Sequence, residues 1–236
     1  MDKYAIVTGA ASGLGLETVK LLLEHEFHVS AWDLNLVSVD HERLRKHQVD
    51  LSSSESVTKA LMTTLKEFKR ISVLVNAAGI SLIMPFIGSK SVHKLSEFEK
   101  VLRVNLTGTF DLCRQVAQHM DGGVIINVAS ICATQSYRYT VAYAASKGAI
   151  LALTMPMSRD LSHKKIRVVC ISPGGFSTPM TGTMKPEAKA QFLKGIAQGR
   201  FGEASEFSHS VLFAINNSYL NGCNVELNGG LVLPNI

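Results

Sequence analysis

A glycine-rich turn between two apolar segments near the start of the chain restricts the fold most strongly. The run Tyr4 to Val7 is apolar and partly β-branched, which is typical of a buried strand. It is followed by the turn Thr8 to Gly15 and then by apolar residues at helical spacing, namely Leu16, Val19, Leu22 and Leu23. This order brings the backbone close to a bound pyrophosphate and points the helix N-terminus at the anion. The segment therefore predicts a dinucleotide site.

An acidic residue ends the second apolar segment, Val29 to Trp32. Asp33 lies eighteen residues after Gly15, where a carboxylate can accept hydrogen bonds from both ribose hydroxyls of NAD and would repel the 2′-phosphate of NADP. Ser12 in the turn is not basic, and no Lys or Arg follows Asp33 until Arg43. The alternative is a carboxylate in an ordinary turn at a strand end. With the glycine turn before it, Asp33 favours NAD as the cofactor.

Strand-like and helix-like segments alternate along the rest of the chain, without repeats or low-complexity linkers. A length of 236 residues is enough for one substantial core. We therefore predict a single-domain, Rossmann-like α/β fold in which helices flank both faces of a doubly wound parallel β-sheet. The further predicted strands lie near Val49 and at Ile71–Val75, Val124–Val128, Ile166–Ile171 and Cys223–Leu227; the further predicted helices are Glu55–Lys69, Glu97–Met120 and Val141–Leu161.

Tyr143 and Lys147 stand four residues apart in a predicted helix, with Ser130 thirteen residues before Tyr143. Residues at this helical spacing share one face. A free phenol has a pKa of about 10, so a tyrosine needs a nearby cation such as Lys147 before it acts as a base near neutral pH. Ser130 can donate a hydrogen bond to a substrate oxygen as negative charge develops. Alone, the pair would also suit a half-buried tyrosine beside a solvated lysine.

Taken together, these motifs resemble the short-chain dehydrogenase/reductase family from Tyr4 to about Gly230. Further family signatures have counterparts in Asp50-Leu51, in Asn76-Ala77-Ala78-Gly79, and in Pro173-Gly174. The resemblance implies four catalytic residues, which are Asn105, Ser130, Tyr143 and Lys147. It implies cofactor contacts by Gly9, Ser12, Gly13, Leu14, Gly15, Asp33, Asp50, Leu51, Asn76, Ala77, Ala78, Gly79, Tyr143, Lys147, Pro173, Phe176 and Thr178.

The resemblance also implies a role for each catalytic residue. Tyr143 exchanges the hydroxyl proton of the substrate while hydride moves between the substrate carbon and the nicotinamide. Lys147 lowers the pKa of this phenol and holds the nicotinamide ribose. Ser130 binds the substrate oxygen, and Asn105 helps to hold a water that relays protons from Lys147.

Within the family, three stretches are most similar to the type II 3-hydroxyacyl-CoA dehydrogenases, also called type 10 17-beta-hydroxysteroid dehydrogenases: Thr154–Leu161, Pro173–Met180 and Leu220–Gly222. This similarity implies NAD-dependent interconversion of 3-hydroxyacyl-CoA and 3-oxoacyl-CoA in fatty acid metabolism, by a homotetramer built through the long helices. Other activities stay open, namely 3-oxoacyl-carrier-protein reductase and hydroxysteroid or alcohol dehydrogenase. A non-enzymatic NAD-binding scaffold is disfavoured because the catalytic residues are intact.

Two segments are expected to border the substrate, because loops over such a site differ most between enzymes of one fold. The glycine-containing stretch 181–202 predicts a mobile lid. The loop 80–94 is long, and Lys90, His93 and Lys94 make it basic. Those cations could contact CoA phosphates, although a plain basic loop explains them equally well.

Composition argues against several other classes of protein. No apolar run approaches the roughly 20 residues that span a membrane, and neither the four Cys nor the eight His show metal-ligand spacing, so we expect no metal site. The net charge of +5 lacks a basic tract interleaved with aromatics, so we expect a small-molecule substrate and no nucleic acid or membrane partner. The first strand begins by Tyr4, which leaves no room for a targeting segment. A cytoplasmic location is expected, with mitochondria left open.

Overall fold

Seven parallel strands form the centre of the protein. The structure is a computed structural model that describes residues 3–68, 70–89 and 91–232. The strands are β1 (Lys3–Thr8), β2 (Phe27–Asp33), β3 (Leu44–Gln48), β4 (Val73–Asn76), β5 (Gly123–Val128), β6 (Ile166–Pro173) and β7 (Cys223–Leu227). Their order in the sheet is β3-β2-β1-β4-β5-β6-β7. The predicted Rossmann-like parallel sheet is confirmed, and its order reverses between β1 and β4, where sheets of this type bind ligands.

Helices cover both faces of this sheet. They are α1 (Gly13–Glu24), α2 (Ser54–Glu67), α3 (Leu95–Leu102), α4 (Thr109–Gln118), α5 (Val141–Asp160), α6 (Pro179–Gly182), α7 (Pro186–Lys194) and α8 (Ala204–Asn216). Alternate residues of a strand point to opposite faces. Accordingly, Val7 of β1 belongs to the core formed with α1 and α8, whereas Ile6 belongs to the core formed with α2 and α4. Among the described helices, none is both long and apolar enough to cross a membrane.

The single long helix predicted over Glu97–Met120 is wrong in detail. The helical path is divided into α3, a π-helical turn at Arg103–Gly108, and α4. Such wide turns are rare and occur mostly at functional sites. Here the backbone at Gly108 lies so close to the Leu51 carbonyl that a Cβ would collide with it, and Asn105 points inward to bond with the loop after β4. These tertiary contacts are not visible in the periodicity of the segment.

Other element boundaries differ from the predictions by a few residues. The strand expected near Val49 ends at Gln48, the fourth strand begins at Val73, and the helix predicted to reach Lys69 ends at Glu67; Lys69 lies outside the described residues. Helix α8 was not predicted, although Phe207, Val211 and Ala214 recur at helical spacing and are fully buried. A capping box between Glu203 and Glu206 begins this helix.

A buried hydrogen-bond chain joins β2 to α2. The indole Nε1 of Trp32 donates to Ser30 Oγ at 2.8 Å, and Ser30 Oγ lies 2.9 Å from Thr64 Oγ1. All three side chains are almost completely buried. A polar group in the core that has no partner loses its hydrogen bonds to water without replacement. Each hydroxyl of this chain therefore supplies a hydrogen bond that its neighbour would otherwise lack.

We expect Ser30→Ala to lower the free energy of unfolding by about 1–3 kcal/mol, because the Trp32 N–H and the Thr64 hydroxyl then lose their buried partner. Urea denaturation at a fixed protein concentration measures the change. The matched control is Thr63→Ala, which removes an exposed hydroxyl of the same helix that donates to the Lys59 carbonyl; here we expect a change within about 0.5 kcal/mol. Equal effects of the two substitutions would contradict the buried chain.

Candidate active site

A cleft of about 650 Å³ lies where the strands end at the carboxyl edge of the sheet. Its lining includes residues from the ends of four different strands, namely Gly9, Asp33, Ser130 and Pro173. Thirteen further predicted site residues line the same cleft: Ser12, Gly13, Leu14, Gly15, Asp50, Leu51, Ala77, Ala78, Gly79, Tyr143, Lys147, Phe176 and Thr178. Residues from distant parts of the sequence thus meet in one cavity.

The glycine turn forms a tight backbone cradle in which Cβ atoms at Gly9 and Gly15 would collide with neighbouring backbone. Gly9 has φ +68°, and a Cβ there would lie 2.8 Å from the Ala78 nitrogen. A Cβ on Gly15 would collide with the Gly9 carbonyl. Helix α1 begins at Gly13 without a side-chain cap from Ser12, so amides of its first turn stay available at the cleft. Uncapped amides and the positive end of a helix fit the pyrophosphate of a dinucleotide.

Carboxylates stand at the far end of this cradle. Asp33 Oδ2 accepts a hydrogen bond from Ala11 N at 3.0 Å, and its Oδ1 accepts from Asn35 N at 2.8 Å. Asp50 Oδ1 accepts from the backbone and the hydroxyl of Ser52 at 2.8 and 2.7 Å. Asp50 is therefore held by donors from its own loop, whereas Asp33 is held both by its own loop and by the glycine turn. A carboxylate oxygen has more than one lone pair, so Asp33 can still accept from ribose hydroxyls.

Asn76 was expected to contact the cofactor, and the structure places its side chain elsewhere. It is buried at the end of β4 and does not line the cleft. Its Nδ2 donates to Asn127 Oδ1 at 2.9 Å and to Cys113 Sγ at 3.2 Å. Side chains alternate along a strand, so Asn76 points into the core and ties β4 to β5. Its side chain therefore faces away from the cavity, which the segment that follows it, Ala77 to Gly79, lines.

Lys147 is an almost completely buried cation. Its Nζ lies 5.8 Å from the centre of the Tyr143 ring, so the two side chains are neighbours on α5. The ammonium donates to the Val128 carbonyl at 2.6 Å, at the end of β5. Burial lowers the pKa of Lys147 to about 8, since removal from water penalises the charged form.

The surroundings of Tyr143 favour its neutral form. Burial raises the pKa of Tyr143 well above its usual value of about 10, and repulsion from Cys132 raises it further. A hydrogen bond with Ser130 acts in the opposite direction and is outweighed. The ammonium of Lys147 is directed to the Val128 carbonyl instead of the phenol. The lowering of this pKa that Lys147 is expected to cause stays a prediction.

Ser130 is placed to act as a donor. It follows β5, and its Oγ accepts a hydrogen bond from Cys132 N at 3.1 Å. Because one lone pair is used in this way, the hydroxyl hydrogen remains free for Tyr143 or for a ligand oxygen. The side chain lies at the cleft surface.

Asn105 lies behind the cleft and does not line it. Its Nδ2 donates to the Ile80 carbonyl at 2.9 Å and to Ser146 Oγ at 3.0 Å, and its Oδ1 accepts from Ile80 N at 2.8 Å. Both amide N–H groups are thus used by the protein. The side chain thus fixes the start of the loop after β4 against α5. Its expected role in holding a water stays a prediction, for which the second lone pair of Asn105 Oδ1 would be available.

One wall of the cleft was not predicted from the sequence. It consists of Ser96, Glu99, Lys100, Arg103 and Val104. The first four of these residues recur at helical spacing. Such spacing on a polar segment was the available signal, but it does not say which cavity a helix faces. Trp32, Leu34 and Asn35 beside Asp33 were also missed, although their place at the end of a strand indicated this rim.

The two expected substrate segments differ in character. The stretch 181–202 contains α7, whose Phe192 meets the Tyr137 ring edge-on, with centroids 6.1 Å apart. The loop 80–94 is closed by a bridge between Ile87 and Val92. Of its three expected cationic residues, Lys90 lies outside the described residues, Lys94 is exposed, and His93 has both ring nitrogens buried without a hydrogen-bond partner.

Comparisons with known proteins agree with this geometry. A family model described as short chain dehydrogenase matches residues 3–189. The 3-hydroxyacyl-CoA dehydrogenase type-2 of Bos taurus is 37% identical over 248 residues, an alignment that covers 96% of this chain and 94% of the relative.

Two solved structures have nearly the same fold. The 3-ketoacyl-(acyl-carrier-protein) reductase of Brucella melitensis, complexed with NADH, superposes with a TM-score of 0.88 at 26% identity and covers 97% of each chain. A 4-hydroxyisoleucine dehydrogenase complexed with NADH superposes with a TM-score of 0.87 at 32% identity, over 97% of this chain and 98% of the other. The chain therefore belongs to the short-chain dehydrogenase family.

Proposed function

We propose that this protein is an NAD-dependent oxidoreductase that interconverts 3-hydroxyacyl-CoA and 3-oxoacyl-CoA. The observation that carries the proposal is that Ser130, Tyr143 and Lys147 line the same cleft as the glycine turn and Asp33. An alcohol bound by Ser130 and Tyr143 and a dinucleotide bound by the glycine turn and Asp33 would then meet in one cavity. The acyl-CoA substrate is supported by the name and the extended similarity of the bovine relative.

The lining around Asp33 supports NAD over NADP. The carboxylate is held at the rim by Ala11 and Asn35, and its neighbours in the cleft, Trp32, Leu34 and Asn35, carry no positive charge. A 2′-phosphate at this point would meet the negative charge of Asp33. When bound, NAD accepts or returns the hydride, and its oxidised ring adds a positive charge to the site.

Each catalytic side chain then has one task. Ser130 donates a hydrogen bond to the substrate oxygen as negative charge develops on it. Tyr143 gives its proton to this oxygen during reduction and takes it back during oxidation. Because burial raises the pKa of Tyr143, the phenol is protonated at neutral pH and ready for reduction. Lys147 would hold the nicotinamide ribose, and its charge would stabilise the phenolate during oxidation.

The loop 80–94 and the stretch 181–202 are proposed to bind the acyl-CoA part. The loop exposes Ile83, Phe86 and Ile87, at 58%, 66% and 74% of their surface, together with the cationic Lys94. An acyl chain can cover apolar side chains, and a cation can pair with a CoA phosphate. The lid role of 181–202 is supported by Phe192, which packs beside the residues around Tyr143.

A homotetramer in the cytoplasm completes the proposal. Phe110 of α4 is 52% exposed, and Met155 of α5 is 47% exposed, so both long helical segments present apolar side chains to the surface. Burial of such side chains between copies of the chain would stabilise an assembly. The family resemblance implies the same helices as interfaces.

Activity on acetoacetyl-CoA tests the proposal directly. We expect turnover with NADH and a kcat/KM at least about 100-fold lower with NADPH, because a phosphate beside Asp33 is repelled. NADH absorbance at 340 nm gives both rates. A higher kcat/KM with acetoacetyl-acyl carrier protein would favour the reductase alternative, which the Brucella structure supports. No turnover of either thioester would contradict the proposal.

Tyr143→Phe removes the proton donor and little else. We expect kcat to fall about 10²- to 10⁴-fold, while the Kd for NADH changes less than about 2-fold. Trp32 is the only tryptophan of the chain and lines the cleft, so quenching of its fluorescence measures NADH binding. Activity close to that of the wild type would refute the assignment.

Lys147→Met should abolish activity and yet stabilise the fold. The pKa of Lys147 falls from 10.5 to about 8 on folding, which at about 1.4 kcal/mol per unit is a penalty of about 3 kcal/mol for the buried ammonium. The substitution also loses the bond from the ammonium to the Val128 carbonyl, worth about 1.5–3 kcal/mol. We therefore expect the free energy of unfolding at pH 7 to rise by up to about 1.5 kcal/mol.

The pH dependence gives the control for this prediction. Between pH 8 and 10.5 the unfolded chain binds more protons at Lys147 than the folded protein, so the penalty in the wild type disappears as the pH rises. The advantage of Lys147→Met should shrink over the same interval in urea denaturation. A variant that is less stable than the wild type at pH 7 would contradict the analysis.

A further inference from the structure

Two cations stand on one wall of the cleft, and no step of the proposed reaction uses them. Lys100 lies in the last turn of α3, and Arg103 begins the π-helical turn that follows. Both residues line the cleft and are exposed to solvent. Residues three apart on a helix have Cβ atoms about 5–6 Å apart, so these two long side chains can reach one anion together.

The two cations are not paired with any described residue. Within residues 3–68, 70–89 and 91–232, no hydrogen bond or ion pair involves the side chain of Lys100 or Arg103, and Glu99 on the same wall pairs with neither. On α4, by contrast, Arg114 pairs with Asp111 three residues before it, with 2.6 Å between Nη2 and Oδ1. Two cations against one carboxylate leave the wall positive and open to a ligand.

Tertiary contacts fix the position of this wall. The backbone at Gly108, at the end of the π-helical turn, lies against the Leu51 carbonyl. Within the turn, Asn105 Oδ1 accepts from Ile80 N at 2.8 Å. The turn is thus held between the loop after β3 and the loop after β4. A site on such a fixed element orients a ligand more closely than a site on a free loop.

The dinucleotide proposed for this cleft leaves both cations unused. Its pyrophosphate is assigned to the amides of the glycine turn, and its ribose hydroxyls are assigned to Asp33. Among the described residues that line the cleft, the one other cation is Lys147, which is buried and donates to the Val128 carbonyl. Lys100 and Arg103 are thus the accessible cations of the cleft, and they suit a second ligand that carries negative charge.

The proposed substrate carries such charge on its nucleotide. Coenzyme A has a diphosphate and a 3′-phosphate, whereas its thioester and the acyl chain are neutral. The loop 80–94, which is proposed to bind the acyl-CoA part, leads directly into α3. Ile80 at the start of this loop and Ser96 just after its end both line the cleft. The loop and the cationic wall therefore form one continuous border.

We propose that Lys100 and Arg103 form a phosphate site for the nucleotide of a CoA thioester, separate from the glycine turn that receives the cofactor. The guanidinium of Arg103 can donate two parallel hydrogen bonds to phosphate oxygens, and Lys100 adds a second positive charge beside them. The inference rests on the proposed function and deepens it, because it assigns residues to the part of the substrate far from the reaction. A thioester without phosphates gains nothing from either residue.

The test compares the wild type of the full chain with the double variant Lys100→Gln/Arg103→Gln on two thioesters. Acetoacetyl-CoA carries the phosphates, and acetoacetyl-N-acetylcysteamine has the same reacting group without them. With NADH, we expect the double variant to raise KM for acetoacetyl-CoA about 10-fold, because two solvent-exposed contacts to phosphate are lost. For the short thioester we expect kcat/KM to change less than about 2-fold.

The matched control is Lys59→Gln/Lys66→Gln, which removes the same charge from exposed positions of α2 outside the cleft and should change neither value. Equal losses of the cleft variant on both thioesters would make the wall a structural element. No loss on either would leave the two cations without a ligand, and equal losses with a weaker Kd for NADH would assign them to the cofactor phosphates. Each of these results overturns the inference.

Calorimetric titration of free CoA into the NADH complex separates this inference from the proposed function, because it does not depend on turnover. We expect Lys100→Gln/Arg103→Gln to weaken the Kd for CoA about 10-fold. Turnover of acetoacetyl-CoA with KM and this Kd unchanged in the double variant would overturn the phosphate site alone. If the wild type binds CoA through these residues and turns over no thioester, the proposed function fails and the phosphate site stands.

Discussion

The buried ammonium of Lys147 is the interaction on which the site depends. A cation without water must be held by fixed acceptors, and here the Val128 carbonyl at the end of β5 provides one at 2.6 Å. This contact requires α5 to pass over the end of β5. The preceding residue, Ser146, bonds to Asn105, and Asn105 in turn holds both backbone groups of Ile80. The loop after β4, the π-helical turn and α5 are thereby positioned together.

The same network joins the two halves of the cleft. Gly79 stands between them: a Cβ at this position would lie 3.3 Å from Asn105 Oδ1 and 3.5 Å from Lys147 Nζ. Just before it, Ala78 N donates to Thr8 Oγ1 at 3.1 Å, which ties this segment to the strand that carries the glycine turn. A dinucleotide in the cradle and an alcohol at Tyr143 would therefore share one wall. The reversal of strand order between β1 and β4 opens the space that this wall borders.

Burial has opposite consequences for the two members of the catalytic pair. It lowers the pKa of Lys147 and raises that of Tyr143, since the charged form of each group is the one that loses water. Burial therefore favours the neutral form of both side chains, an amine at Lys147 and a protonated phenol at Tyr143. Cys132 and Tyr137 add to the effect on Tyr143.

Local patterns were sufficient for the sheet, for the glycine turn with Asp33, and for Ser130, Tyr143 and Lys147, because short-range periodicity and spacing specify strands, turns and helix faces. They were insufficient where a residue acts through distant partners. Asn76 bonds to Asn127 inside the core, and Asn105, in the π-helical turn, bonds to Ile80; both partners lie far along the chain. The pKa of Tyr143 depends on how deeply it is buried. Sequence by itself thus determined which elements and reactive groups exist; the tertiary structure decided which of them meet, and with what charge, because packing controls access to water.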